Sequence, residues 1–163
     1  MHPSAEVESE LARRHKAAVT TVAGLLVATV LLSIVAYLGR SYFTQQPNPN
    51  LNMAVRIIGG ILGLGAVVWR RNKFSTMRLK DIGALQGATG ILRTLEKTTL
   101  QLAFLGAAIA AIGFIATLMT GDDTFTYWSG IITLLVLFYC FPTKSSWRKA
   151  VLYFADTQVT KEM

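Results

Sequence analysis

Residues 70–97 read RRNKFSTMRLKDIGALQGATGILRTLEK, and this basic stretch stands between long apolar segments. It contains seven Lys and Arg residues against two acids, Asp81 and Glu96. In membrane proteins, Lys and Arg concentrate in the connections that stay on the cytoplasmic side. The stretch therefore predicts a cytoplasmic connection between two membrane-spanning helical hairpins.

The composition of the chain indicates that lipid is the solvent for much of its surface. Hydrophobic residues make up 52% of the 163 residues and charged residues only 15%, whereas a soluble domain carries about 25% charged residues. The length predicts one compact unit. The net charge of +7 lies beside apolar segments, where Lys and Arg attract anionic lipid headgroups. No nucleic-acid partner is therefore expected.

Four apolar segments have the character of membrane spans, and the predicted fold is all-α, with four transmembrane helices in two hairpins. Residues 17–39 and 98–120 contain no charged residue. Each is long enough to cross a hydrocarbon core of about 30 Å at about 1.5 Å per residue. The first exceeds the apolar region of a signal peptide, about 7–15 residues, and is expected to be retained. The other two are the glycine-rich 52–69 and the aromatic-flanked 125–141.

The distribution of Lys and Arg predicts the orientation of these spans. The tail 1–16, the connection 70–97 and the tail 143–163 hold 14 of these residues, whereas the two short turns hold only Arg40. The positive-inside rule then places both termini and the connection in the cytoplasm. The transmembrane domain is expected over 17–142, as a multi-pass protein of the cell (inner) membrane.

Apolar residues inside the central connection recur at roughly helical spacing, interrupted by glycines. Two interpretations of a helix over 79–95 stay open. It would lie on the inner membrane surface as an amphipathic helix, or it would extend the third span into the cytoplasm. The apolar residues are Leu79, Ile82, Leu85, Ile91, Leu92 and Leu95.

Small residues form the strongest local pattern within the spans. The second span contains Gly59-x-x-x-Gly63, and the third contains Gly106, Ala110 and Gly113. In lipid, where apolar contact alone does not drive association, small residues allow the backbones of two helices to approach closely. These five residues are predicted to be helix contacts, either within the bundle or with a partner.

Three charged residues lie near the outer ends of the spans. Arg56 is the one ionisable residue inside a predicted span, and Asp122 and Asp123 occupy the turn at the same outer surface. An intramembrane charge is a functional candidate by default, although a long side chain near a helix end reaches the headgroups by snorkelling. The three residues form a possible charge site at the outer interface. Two carboxylates are too few for a calcium site.

The basic residues nearest the second span are predicted to contact anionic lipid headgroups on the cytoplasmic side. They are Arg70, Arg71, Lys73, Arg78 and Lys80.

The reactive groups that an enzyme needs are missing from the predicted spans. The spans contain no Asp, Glu, His or Lys, both histidines precede the first span, and Cys140 is the only cysteine. No catalytic residue, metal site or cofactor is therefore predicted. We expect a non-catalytic protein that acts by helix association, as an accessory or scaffolding subunit with a membrane-protein partner. The alternative is a small channel or transporter formed by a homo-oligomer.

The predicted orientation can be measured with topology reporters fused within 70–97 and within the turn at 121–124. A reporter that works only in the cytoplasm should be active when it is fused within the connection, because the basic residues of the connection resist translocation. A periplasmic signal from the connection would contradict the orientation.

Overall fold

The computed structural model describes residues 5–39, 42, 49–74 and 76–159, and within these it includes side chains except at 49, 76–78 and 154–159. The described residues contain no strand, which confirms the predicted all-α fold. The helices are α1 (Ala5–Gly39), α2 (Pro49–Lys73), α3 (Thr76–Thr120), α4 (Thr124–Cys140) and α5 (Lys144–Val159).

Three of these helices are long and apolar enough to cross a membrane, namely α1, α2 from Asn50 and α3 from Leu79. Together, α4 and α5 meet the same criteria as one broken span, bent by 45°. The 17 residues of α4 extend only about 26 Å at about 1.5 Å per residue. Three to four membrane-spanning helices are compatible with a multi-pass membrane protein.

Helix α3 is the centre of the molecule, because every other helix packs against it. Helices α3 and α4 form a closely packed antiparallel pair. The pairing is visible in the hydrogen bond from Thr133 Oγ1 to the Gly106 carbonyl, 2.8 Å, and in the contact between the Thr117 and Thr126 hydroxyls, also 2.8 Å. Each of these hydroxyls satisfies a polar group that has no water to bond in the bilayer.

Helices α1 and α2 flank this pair separately. In the described parts of the chain they do not contact each other, and each packs on both α3 and α4. Ser33 of α1 lies beside Gly130 of α4, whereas Ile132 of α4 lies against α2. The first two spans are therefore not a packed hairpin here. The connection between them (40–48) lies largely outside the described residues, and the side of the membrane on which the termini lie stays a prediction.

A break at Gly87 divides α3 into a short arm (76–86) and a long arm (88–120). Gly87 has φ 64° and ψ −161°, a conformation that only glycine adopts readily. The short arm turns back along the start of the long arm, so that Leu79 packs near Leu95. Of the two interpretations of 79–95, neither holds for the whole segment. Its second half extends the third span, and its first half packs on that extension.

Helix α1 and the long arm of α3 both exceed the thickness of a bilayer. The 35 residues of α1 extend about 52 Å, whereas a hydrocarbon core is about 30 Å thick. Both helices project from the same end of the bundle, which we call the basic end. There they join the short arm and α5 around a second core of Leu11, Ala18, Leu79, Ile91, Leu92, Leu95, Trp147 and Val151. The segments predicted as polar tails are thus helical and packed where the structure describes them.

The contact between α3 and α4 is closest at Gly113. A methyl group added there would stand 2.8 Å from the Phe125 carbonyl oxygen and would overlap Ser129. A backbone atom cannot move aside as a flexible side chain can, so Gly113→Ala should force the two helices apart. We expect the variant to lower the free energy of unfolding by about 1–3 kcal/mol, measured by thermal or SDS unfolding in detergent.

The matched control is Gly60→Ala in α2, because no atom lies within 4 Å of the added methyl group. This control should leave stability unchanged or slightly raised, since alanine favours a helix more than glycine does. Equal stability of the Gly113→Ala variant and the wild type would contradict the close packing of α3 and α4.

Candidate functional site

The small residues of α2 form its contact with the rest of the bundle. Gly59, Gly63 and Ala66 are buried and share one face of the helix. A methyl group at Gly63 would stand 2.8 Å from Ile132 Cγ2 on α4, and one at Gly59 would stand 3.4 Å from Ile132 Cδ1. Bulky side chains on this face of α2 would therefore hold the helix away from α4.

The small residues of α3 face α4 in the same way. A methyl group at Gly106 would lie 3.5 Å from Val136 and 3.6 Å from Leu137. Ala110 is buried between this position and Gly113. The structure thus places all five small residues singled out in the sequence at contacts inside the bundle.

The N-terminal end of α2 presents Arg56 to an aromatic ring. The guanidinium carbon lies 5.3 Å from the centre of the Trp128 ring on α4, within the range of a cation–π interaction. Arg56 also borders a cavity of about 310 Å³ between α2, α3 and α4, whose other lining is mostly apolar. Sequence reasoning did not identify Trp128 as a neighbour, because nothing in the spacing relates residues on separate helices.

The two acidic residues at the same end shape the turn between α3 and α4. Gly121, with φ 70°, ends α3. The side-chain carboxylate of Asp122 accepts a hydrogen bond from the Thr124 backbone N–H at 3.0 Å. The backbone carbonyl of Asp122 accepts one from the Thr117 hydroxyl at 3.0 Å. Asp123 is almost buried. The contact that the structure gives Arg56 is the Trp128 ring, and a charge site formed by the three residues stays a prediction.

The basic residues that follow α2 occupy different environments. Arg70 donates a hydrogen bond to the Tyr139 carbonyl and stacks 4.4 Å from the centre of the Tyr139 ring. Arg71 and Lys80 are exposed, and Lys73 is half-buried beside a cavity. The side chain of Arg78 lies outside the described residues. Arg70 therefore binds the protein itself, whereas the other three described cations are open to a ligand or to lipid.

An ion-pair network at the basic end joins α1 to α3. The Arg14 guanidinium donates to Glu10 Oε1 at 2.8 and 2.9 Å and to Glu96 Oε2 at 2.5 Å. The bonds to Glu10 and then to Glu96 raise the pKa of the Arg14 guanidinium above its ordinary value. The network was missed in the sequence because Glu96 lies 82 residues from Arg14. Only the spacing of Glu10 and Arg14, one helical turn apart, was visible there.

Two further contacts attach α5 to α1 at this end. The ring of His15 meets that of Trp147 edge to face with 5.6 Å between centres, and its Nε2 lies 3.1 Å from the Pro142 carbonyl oxygen. Arg148 of α5 pairs with Glu8 of α1 at 3.3 Å. Helices from both chain ends are therefore held together on one side of the bundle.

The buried polar side chains within the spans are used internally. Thr29 and Ser33 donate to the carbonyls one turn earlier in α1, and no buried side-chain nitrogen or oxygen in the described residues lacks a partner. In the same residues no group of three or more His, Cys, Asp or Glu side chains is placed to hold a metal. Cys140 is buried against Ala66, Leu102 and Val136.

The link between Arg14 and Glu96 can be tested with Glu96→Gln. The substitution removes the charge that pairs with Arg14, and we expect it to lower stability by about 1 kcal/mol, the upper range for a partly exposed pair. Thermal unfolding followed by the fluorescence of Trp147, which lies in the affected core, measures the change. The control is Asp81→Asn, which removes one negative charge from an exposed position on the short arm. An equal shift in both variants would contradict a specific link.

Comparisons with known proteins give this chain no relative: no protein-family model matches it, and no curated protein or solved structure is significantly similar to it. Its functional interpretation therefore depends on the contacts and charges described above.

Proposed function

We propose that the protein is a non-catalytic membrane protein that acts by helix association, as an accessory or scaffolding subunit of a membrane complex. The proposal includes the orientation argued from the charges, with the basic end in the cytoplasm and the bundle in the cell (inner) membrane. The observation that carries it is the outward face of α2, where two glycines are not used by the bundle.

These glycines are Gly60 and Gly65. No atom of another helix lies within 4 Å of a methyl group added at either position, in contrast to Gly59 and Gly63, where Ile132 of α4 lies within 3.4 Å. Glycine in a helix costs about 1 kcal/mol relative to alanine, so two outward glycines have no structural reason within one copy. In lipid, glycines of this kind let a second helix approach closely.

Apolar side chains surround the outward glycines. Ile57, Ile61, Leu64 and Val68 follow each other at intervals of three or four residues, and all four are exposed. Only 11% of the most apolar window of α2 is buried. The face therefore combines side chains that pack well with positions that admit a neighbouring backbone, as a helix-binding surface requires. The proposed occupant is a transmembrane helix of another protein.

The alternative is a small channel or transporter built from several copies. Its support is Arg56, a cation that borders a cavity near the outer end of the bundle. Against it, the buried polar side chains within the described spans have hydrogen-bond partners, so the interior of one copy offers no free polar path. A pore would have to form between copies.

The test is a pull-down of the tagged chain in a mild detergent, followed by mass spectrometry of the proteins that copurify. We expect a fixed partner at constant ratio with the wild type and its loss with Gly60→Ile combined with Gly65→Ile. The control is Ala111→Ile, which places an isoleucine on an exposed face of α3 and should retain the partner.

Two results would contradict the subunit proposal. Retention of the partner by the α2 double variant would exclude this face as the contact. Recovery of the chain alone as a discrete homo-oligomer would favour the alternative, which flux measurements in liposomes with wild type and Arg56→Ala would then examine.

A further inference from the structure

A polar cavity of about 440 Å³ lies at the basic end, between the end of α2 and the two arms of α3. Lys73 of α2 and Lys97 of the long arm contribute two ammonium groups to its lining. Thr98 and Gln101 add a hydroxyl and an amide group on the α3 side, and Trp69 of α2 adds an indole ring. The cavity thus gathers several hydrogen-bond donors around two positive charges.

The two lysines have no carboxylate partner among the described residues. The nearest acid in sequence, Glu96, is bonded to Arg14 on the α1 side of the long arm, whereas Lys97 lines the cavity on the α2 side. Both ammonium groups are therefore available to an anion. The hydroxyl of Thr94, a further lining residue, donates to the Gly90 carbonyl at 2.9 Å and offers no donor.

The side chains around the cavity follow the order that is expected where lipid headgroups meet acyl chains. Trp69 is the kind of residue that occupies this interface, and Lys97 directly precedes the charge-free third span. Gln101 is one turn deeper, and Phe104, 60% exposed, continues the same side of α3 as apolar surface. A ligand with a charged head and an apolar tail matches this order of side chains.

The short arm of α3 closes the cavity from the basic end. Ile82 lines the cavity opposite Thr94 and Thr98, and it reaches this position because the chain reverses at Gly87. The short arm therefore forms one wall of the site, beside the wall that carries Lys97, Thr98 and Gln101.

We propose that this cavity binds the phosphate of an anionic phospholipid. Lys73 and Lys97 pair with the phosphate oxygens, and Thr98, Gln101 and the Trp69 indole N–H donate hydrogen bonds to the headgroup. The acyl chains lie along the exposed apolar surface that begins at Phe104. Basic pockets between transmembrane helices bind phosphorylated headgroups in this manner. The chemistry recognised is a phosphate ester, and the exposed apolar surface at Phe104, next to the lysines, favours the lipid as its source.

The test is native mass spectrometry of the delipidated, detergent-solubilised protein titrated with phosphatidylglycerol or phosphatidylcholine. Lys73→Gln combined with Lys97→Gln should bind phosphatidylglycerol on the order of tenfold more weakly, as expected when two cations lose their contact with one phosphate. Binding of phosphatidylcholine should change little. The matched control is Lys144→Gln combined with Lys149→Gln, which removes the same charge from exposed positions of α5 outside the cavity and should bind as the wild type does.

Two outcomes would overturn the proposal. An equal loss of affinity for phosphatidylglycerol in both double variants would mean that binding depends on the general charge of the basic end. An unchanged affinity in the Lys73 and Lys97 variant would show that the lipid does not bind in this cavity. Competition with a large excess of glycerol phosphate distinguishes a phospholipid from a soluble phosphate ester as the ligand. Failure to displace the lipid supports a lipid site, whereas full displacement would overturn the lipid assignment in favour of a soluble phosphate ester.

Discussion

The close approach of α3 to α4 is the contact on which the rest of the structure depends. Helices α1 and α2 lie on different sides of this pair and do not touch each other in the described residues. Helix α2 is positioned through α3 and α4, and α1 is positioned through α3, α4 and α5. Gly106 and Gly113 allow that approach, and the Thr133 hydroxyl bonds across it to a backbone carbonyl. In a medium without water such a bond has few competitors, so two glycines and one hydroxyl fix the spacing around which the other helices pack.

Much of the architecture could be predicted because it follows from the lipid that surrounds the helices. Charge-free segments of sufficient length must be helices in lipid, since only helices and closed barrels satisfy their own backbone there. The small residues at 59, 63, 106, 110 and 113 could also be singled out, because close helix contacts need them. Neither argument depends on which helices are neighbours.

The features that could not be predicted are those that depend on such neighbours. Leu79, Leu92 and Leu95 were recognised as a periodic apolar set, but their partners Leu11, Trp147 and Val151 come from the two ends of the chain. The reversal at Gly87 was hidden among several glycines of the same segment, and only the backbone angles distinguish it. The cavity beside Lys73 exists because of that reversal. The sequence therefore predicted that Lys73 contacts lipid headgroups, but it did not predict a cavity there.

The protein combines a tightly packed pair of helices with two loosely covered ones. Inside the pair, polar groups are satisfied and the fit leaves no room for a methyl group at Gly113. On α2, by contrast, one face is used by the bundle and the other carries glycines and apolar side chains with nothing against them. The centre therefore provides the close packing, and the periphery leaves apolar surface exposed. The proposed scaffolding role and its oligomeric alternative would both use this exposed face, and they differ in whose helix would cover it.

The unbroken course of α1 has a mechanical consequence. Its first turns are bonded to Glu96 and packed beside Trp147, and its last turns lie in the outer half of the bundle. A helix of this length is stiff, because each turn is hydrogen-bonded to the next. A tilt of α1 imposed by a thicker or thinner bilayer therefore displaces the end of α1 that packs beside Trp147. Helix α1 thus couples the thickness of the bilayer to the geometry of the second core at the basic end.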